Sequence, residues 1–176
     1  MNISLIGYRG TGKSTVAQQL ALRLGWNWID SDVEVELAAA KPIAAIFKDD
    51  GESAFRDQET AVIQHLATLD QQVFALGGGA VLRSQNRQLI TAAGHVVWLR
   101  ASPKVLHQRL SEDPVTRSQR PNLTTDGGFQ EIVNVLAERE ALYRECADIE
   151  VDTEGRDVAA VVTHILSQLD FASTTQ

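Results

Sequence analysis

The chain has 176 residues, 44% of them apolar, and carries 16 basic against 23 acidic side chains for a formal charge of −7. That length suits one domain, spanning 1–176, with enough interior for a core, and the apolar share excludes wholesale disorder. No basic excess marks a nucleic-acid binder, no apolar run approaches the ~20 residues of a membrane span, and a single cysteine excludes an internal disulfide.

The opening residues, MNISLIGYRG, have no basic leader, and their apolar run is too short for a signal peptide, so a cytoplasmic protein is expected. Residues 2–6 form a short apolar run ending at Gly7, the pattern of a buried strand. Gly7-x-x-x-x-Gly12-Lys13-Ser14 then matches the phosphate-cradling P-loop at every fixed position. Gly7, Gly10 and Gly12 let the backbone fold tightly and aim N–H groups inward, and the helix start adds partial positive charge. Lys13 can reach the β- and γ-phosphates, Ser14 can bind Mg²⁺, and Thr15 adds a further hydroxyl or a packing methyl. From 13 to 24, Val16, Leu20 and Leu24 repeat at helical spacing, and Gly25 stops the helix.

Residues 26–30 alternate and predict a second strand that ends in Asp30-Ser31-Asp32. Alternation would point Asp30 and Asp32 the same way, into a cleft beside the P-loop, unless both are solvated turn carboxylates. One could hold a water of the Mg²⁺ shell, and the other accept the proton of an attacking hydroxyl. Helices are expected near 33–39 and 52–69. The second carries a stripe of Phe55, Val62, Ile63 and Leu66, with Arg56 beside it as a surface residue lying along apolar neighbours. A third strand at 72–76 runs into Gly77-Gly78-Gly79, where a ligand can touch backbone.

A helix at 84–92, a strand at 95–100 and a helix at 103–110 follow. Residues 111–128 hold two prolines and two arginines, Arg117 and Arg120, and read as a mobile loop or a lid above phosphates. In the helix at 129–145, Arg139 falls inside an arc of Ile132, Val135, Leu136, Leu142 and Tyr143. A guanidinium there needs an anion, either a ligand or an internal ion pair. A strand at 148–152 and a helix at 157–169 with a one-sided apolar stripe end the alternation. Strands alternating with helices predict a parallel sheet covered on both faces, with ligands at the strands' carboxyl ends. Cys146 is expected as a small buried hydrophobe near a helix end, and Trp26, Trp28 and Trp98 as core. The four histidines lack metal-ligand spacing. The paired arginines, the two aspartates and the glycine run suggest a small acceptor bearing hydroxyls and a carboxylate.

These residues resemble the shikimate kinase family. The P-loop at 7–14, D-S-D at 30–32, G-E-x-x-F-R at 51–56, L-G-G-G at 76–79, R-P at 120–121, E-R-x-x-L-Y at 138–143 and V-D-T at 151–153 occur in family order along nearly the whole chain. The resemblance implies transfer of the ATP γ-phosphoryl group to the 3-hydroxyl of shikimate, giving 3-phosphoshikimate and ADP on the way to chorismate and the aromatic amino acids. It implies a nucleoside-monophosphate-kinase-like P-loop fold, a three-layer α/β/α sandwich on a five-stranded parallel sheet. Residues 31–61 would form an acceptor-binding insertion and 111–125 a lid.

By the same resemblance, Gly10, Thr11, Gly12, Lys13, Ser14 and Thr15 hold ATP, with Arg109 and Arg156 flanking adenine. Asp32 is the acceptor-hydroxyl ligand and candidate base. Arg56 and Arg139 clamp the acceptor carboxylate, with Gly77, Gly78 and Gly79 beside it and Gly78 contributing backbone. Ser14 ligates Mg²⁺, Asp30 assists through water, and Arg120 joins Lys13 and Asp32 as a catalytic residue. The lid segment reads R-P-N-L where many members have R-P-L-L. A monomer acting on small molecules is expected. The rivals are a kinase for gluconate or a nucleoside monophosphate on the same fold, and a GTP-dependent switch. The switch is disfavoured because the chain has no Asn-Lys pair from which to build the guanine-binding motif.

Overall fold

The computed structural model describes residues 1–112 and 128–169. In chain order the described elements are β1 (Asn2–Ile6), α1 (Lys13–Leu24), β2 (Asn27–Asp30), α2 (Ser31–Ala39), α3 (Ile43–Asp49), α4 (Gly51–Leu66) and β3 (Gln72–Ala75), followed by α5 (Ser84–Ala93), β4 (Gly94–Arg100), α6 (Pro103–Glu112), α7 (Phe129–Cys146), β5 (Ile149–Asp152) and α8 (Val158–Gln168). The five described strands form one parallel sheet in the order β2-β3-β1-β4-β5. The chain leaves β1 for one side of the sheet and returns to the other at β4. Such a reversal opens a crevice at the strands' carboxyl ends. Ala75 is in register with both Leu5 and Asp30, so the loops after β1, β2 and β3 emerge level with one another.

β1 is buried along its whole length, Asn2 and Ser4 included, because it lies at the centre of the sheet with helices packed on both faces. On one face Ile3, Leu5, Val97 and Leu99 pack against Val16 and Leu20 of α1 and Val161, Val162 and Ile165 of α8. On the other, Ile6, Phe74 and Trp98 meet Ile63 and Leu66 of α4, Ile90 of α5 and Tyr143 and Cys146 of α7. A truncation such as Leu20→Ala in so tight an interior costs about 2–5 kcal/mol. The helices inserted after β2 close over a smaller cluster of Val35, Ile43, Ile46 and Phe55. Gly25 ends α1 in the left-handed conformation, its N–H reaching back to the carbonyls of Ala21 and Leu22.

Three expectations change. Trp28 is 39% exposed rather than core, because β2 is the edge strand of the sheet; Trp98, on interior β4, is buried. Asp32 is not on a strand at all: β2 ends at Asp30, and Asp32 lies in the first turn of α2. A separate short helix, α3, stands where no element is predicted. Its Ile43 and Ile46 are buried against Phe55, so tertiary packing holds a helix too short to persist alone. Cys146 is buried at the end of α7, and that burial pushes its thiol pKa up to about 11, the signature of an inert packing residue. No helix among the described residues is long and apolar enough to cross a membrane.

Candidate active site

A cleft of about 480 Å³ opens at the carboxyl ends of the strands, and P-loop residues line one wall of it. The loop turns sharply at Gly7, whose φ of 136° and whose contact with the Leu99 carbonyl leave no room for a Cβ. Gly12 caps α1 in the left-handed conformation, and the N–H groups of a helix's first turn are those that bind anions in such loops. Lys13 Nζ donates to the carbonyls of Gly7 and Tyr8 at 2.8 and 3.0 Å, folding the ammonium over the loop. Thr11 is buried and donates to Tyr8 O at 2.8 Å, which tightens the same turn. Gly10, Gly12, Lys13, Ser14 and Thr15 all face the cleft.

Arg109 reaches the loop from α6. Its Nη1 donates to Gly10 O at 3.3 Å and to Thr153 Oγ1 at 3.0 Å, and its Nη2 to Thr153 O at 3.0 Å. Thr153 of the V-D-T motif thus fixes an arginine beside the phosphate loop. Arg156 is exposed and lines a separate surface depression with residues of α8, away from this cleft. Arg120 and Arg117 lie outside the described residues, as does the expected lid beyond Glu112.

Asp30 and Asp32 both line the cleft, through a turn rather than strand alternation. Asp30 caps α2 by accepting the Asp32 N–H at 3.0 Å on Oδ1, and its Oδ2 accepts the Ser14 hydroxyl at 2.7 Å. A hydroxyl and a carboxylate so joined are the hard-oxygen donors that suit Mg²⁺, which takes few protein ligands and completes its shell with phosphate and water. Among the described residues no cluster of three or more His, Cys, Asp or Glu forms a self-contained metal cage.

Further lining comes from Asp32, Val33 and Glu36 of α2, Ile43 of α3 and Gly78 of the loop after β3, while Arg56 of α4 and Arg139 of α7 meet that glycine loop without themselves lining the cleft. A Cβ at Gly77 would fall 2.6 Å from Asp32 Oδ1 and 3.2 Å from Glu59 Oε1, and one at Gly79 would fall 2.6 Å from Arg56 Nη2. The glycine run is therefore what admits the aspartate and the arginine to one place. Arg56 is only 8% exposed, not lying along the surface, and is bound by Glu59 at 2.7 Å and by Glu52 at 3.2 Å. Arg139 is half-buried and makes no ion pair among the described residues. Its Nη1 donates to Gly78 O at 3.1 Å, while its Nε is buried without a partner. Tyr143 donates to the same carbonyl at 2.6 Å. Its burial pushes the hydroxyl pKa up to about 12, outweighing the lowering effect of Arg139, so it remains a donor at any ordinary pH.

Sequence reading did not single out several groups at this site. Arg9, inside the P-loop, lines the cleft and pairs at 3.2 Å with Glu131, which is wholly buried. No local pattern joins residues 9 and 131. Glu59 stands three residues after Arg56, a helical spacing from which the pair was readable. Val33, Glu36 and Ile43 also line the cleft; Glu36 accepts the Ile43 N–H at 2.9 Å and so caps α3 in place of Pro42.

A parallel five-stranded sheet whose P-loop faces a cleft lined with carboxylates and arginines defines a P-loop kinase of the nucleoside-monophosphate-kinase-like kind. The shikimate kinase family profile matches residues 9–170. A shikimate kinase of Rhodopirellula baltica is 43% identical over 165 residues, covering 94% of this chain and 88% of the relative. Among solved structures, a shikimate kinase from Acinetobacter baumannii in complex with shikimate has a TM-score of 0.88 at 34% identity, over 94% of this chain and 90% of that one. The chain belongs to the shikimate kinase family. A gluconokinase from Sinorhizobium meliloti, with a TM-score of 0.56 at 21% identity over 95% of this chain and 90% of that one, shares the fold alone.

Proposed function

We propose that this chain transfers the γ-phosphoryl group of ATP to the 3-hydroxyl of shikimate, giving 3-phosphoshikimate and ADP, a step toward chorismate and the aromatic amino acids. One observation carries the reading: Asp32 and Lys13 share a cleft with Gly78, and Arg139, a cation with no carboxylate beside it among the described residues, is bonded to that glycine's carbonyl.

The P-loop amides and Lys13 hold the triphosphate, with Arg109 positioned beside the loop. Ser14 and, through water, Asp30 would hold Mg²⁺, which when bound offsets charge on the phosphate oxygens. On the acceptor side, Arg139 and Arg56 grip the carboxylate of shikimate. Of the two, Arg139 contributes more net attraction, because Glu59 and Glu52 already offset the charge of Arg56. Asp32 orients the 3-hydroxyl and takes its proton as the oxygen attacks in line. Positioning and electrostatics supply the rate, with no covalent intermediate.

The same reading gives Arg120 to the phosphates, Arg156 to the adenine surroundings, residues 31–61 to acceptor binding and 111–125 to a lid, within a single domain. ATP use supports a cytoplasmic setting. We infer activity as a monomer on small molecules.

A coupled ADP-release assay with purified protein tests the reading. ADP should appear with ATP, Mg²⁺ and shikimate, and stay near background without shikimate. Release with gluconate but not shikimate overturns it.

A further inference from the structure

Three consecutive glycines form the most pliant kind of backbone, yet here each successive peptide unit is pinned. Ser31 Oγ accepts the Gly77 N–H at 2.9 Å from the α2 side. The Gly77 carbonyl accepts the Ala80 N–H at 2.9 Å. The Gly78 carbonyl accepts from both Tyr143 Oη, at 2.6 Å, and Arg139 Nη1, at 3.1 Å, from the α7 side. Two donors on one carbonyl occupy both its lone pairs and leave the peptide plane no freedom to rotate. Gly78 and Gly79 are buried residues, and Gly78 lines the cleft.

Tyr143 is the anchor of this arrangement. It is 0% exposed and stacks on Trp98 at 5.7 Å between ring centres, so its hydroxyl has one place to go. A Cβ at Gly78 would lie 3.5 Å from Gly7 O and 3.6 Å from Arg9 N, so the pinned segment lies directly against the P-loop backbone.

We propose that Tyr143, with Ser31 from the opposite side, is a positioning residue for the acceptor. It touches no substrate, but by holding the Gly78 carbonyl it sets both the plane of the Gly78–Gly79 peptide and the guanidinium of Arg139 that shares this oxygen. The inference rests on the acceptor reading above and adds to it a residue that acts only through others. Its consequence is selective: acceptor affinity depends on the Tyr143 hydroxyl, and nucleotide affinity does not.

Tyr143→Phe keeps the ring, its volume and its stacking and removes only the hydroxyl. Losing one hydrogen bond's positioning should raise KM for shikimate about five- to tenfold and leave KM for ATP within about twofold. A merely structural role would instead lower the melting temperature and the yield of active enzyme, with both KM values unchanged. Ser31→Ala, which frees the neighbouring peptide, should reproduce the split. Cys146→Ala, in the same core as Tyr143 but off the glycine run, should not. If Tyr143→Phe yields no folded enzyme, the Ser31→Ala result decides alone. Unchanged shikimate KM in the folded variants, with wild-type protein active on shikimate, overturns this inference and leaves the acceptor assignment standing. Wild-type protein inactive on shikimate overturns the assignment itself.

Discussion

The two walls of the cleft are built by different means. The phosphate wall is one contiguous stretch, residues 7–15, whose binding groups are chiefly backbone amides held by the loop's own short-range bonds, such as Thr11 to Tyr8 and Lys13 to Gly7. The acceptor side of the proposed site gathers Asp32 and Gly78 at the cleft, with Arg56, Arg139 and Tyr143 meeting the glycine run, from four separate segments tied across long stretches of sequence. A local loop can be carried from fold to fold with its function intact. An assembled wall works only where the sheet order brings its pieces together, so on the proposed assignment substrate identity would reside in the acceptor wall.

That difference predicts which kinetic constant each change moves. The largest effect is expected at Asp32, where Asp32→Asn preserves shape against Gly77 but removes the proposed proton acceptor. Its kcat should fall about 10²–10⁴-fold while ATP affinity, read by titration, holds. Lys13→Ala on the other wall should lower kcat about 10²–10³-fold while leaving shikimate binding intact. If either variant damaged both binding constants equally, the two walls would not be separate units. Next comes Arg139→Ala, which removes a charged donor from the acceptor wall. KM for shikimate should rise about 10- to 100-fold with KM for ATP little changed, and an unmoved shikimate KM would refute the role given to Arg139.

Arg109 and Arg156 sharpen the comparison on the nucleotide side. Arg109→Ala breaks three bonds at the P-loop and Thr153, and should raise KM for ATP several-fold. Arg156→Ala, at an exposed position outside the cleft, should change it less than about twofold. A reversed order in steady-state kinetics would move the adenine contact to Arg156.

The smallest effect concerns stability. The Tyr143 pKa is raised by burial from 10.0 to about 12, so the unfolded chain releases that proton first. This contribution is complete below about pH 10 and is lost as pH climbs through about 12. Alkaline denaturation midpoints should therefore fall less steeply with pH in Tyr143→Phe than in wild type.

Much of this was legible before the fold was known, for identifiable reasons. The P-loop needs only neighbouring residues and was complete in the string. The helix at Lys13–Leu24 and its glycine stop follow from spacing and from a left-handed cap. Asp30 and Asp32 were paired correctly on an incorrect premise: a capping turn, not strand alternation, turns both into the cleft. Arg56 looked like a surface residue because burying its charge depends on Glu59 and Glu52 meeting it on one helix face beside Gly79. Trp28 looked like core because the chain does not announce which strand will be an edge.

By itself, then, the sequence determined the alternating strands and helices, the phosphate loop and the family, because each rests on short-range pattern or on motifs in fixed order. Tertiary structure alone decided that Arg9 meets a buried Glu131, that Arg139 and Tyr143 share one carbonyl, and that Arg109 sits at the phosphate loop while Arg156 does not. Those contacts join residues tens of positions apart. Their energies depend on distance and on exclusion of water, quantities that exist only once the sheet has closed the crevice.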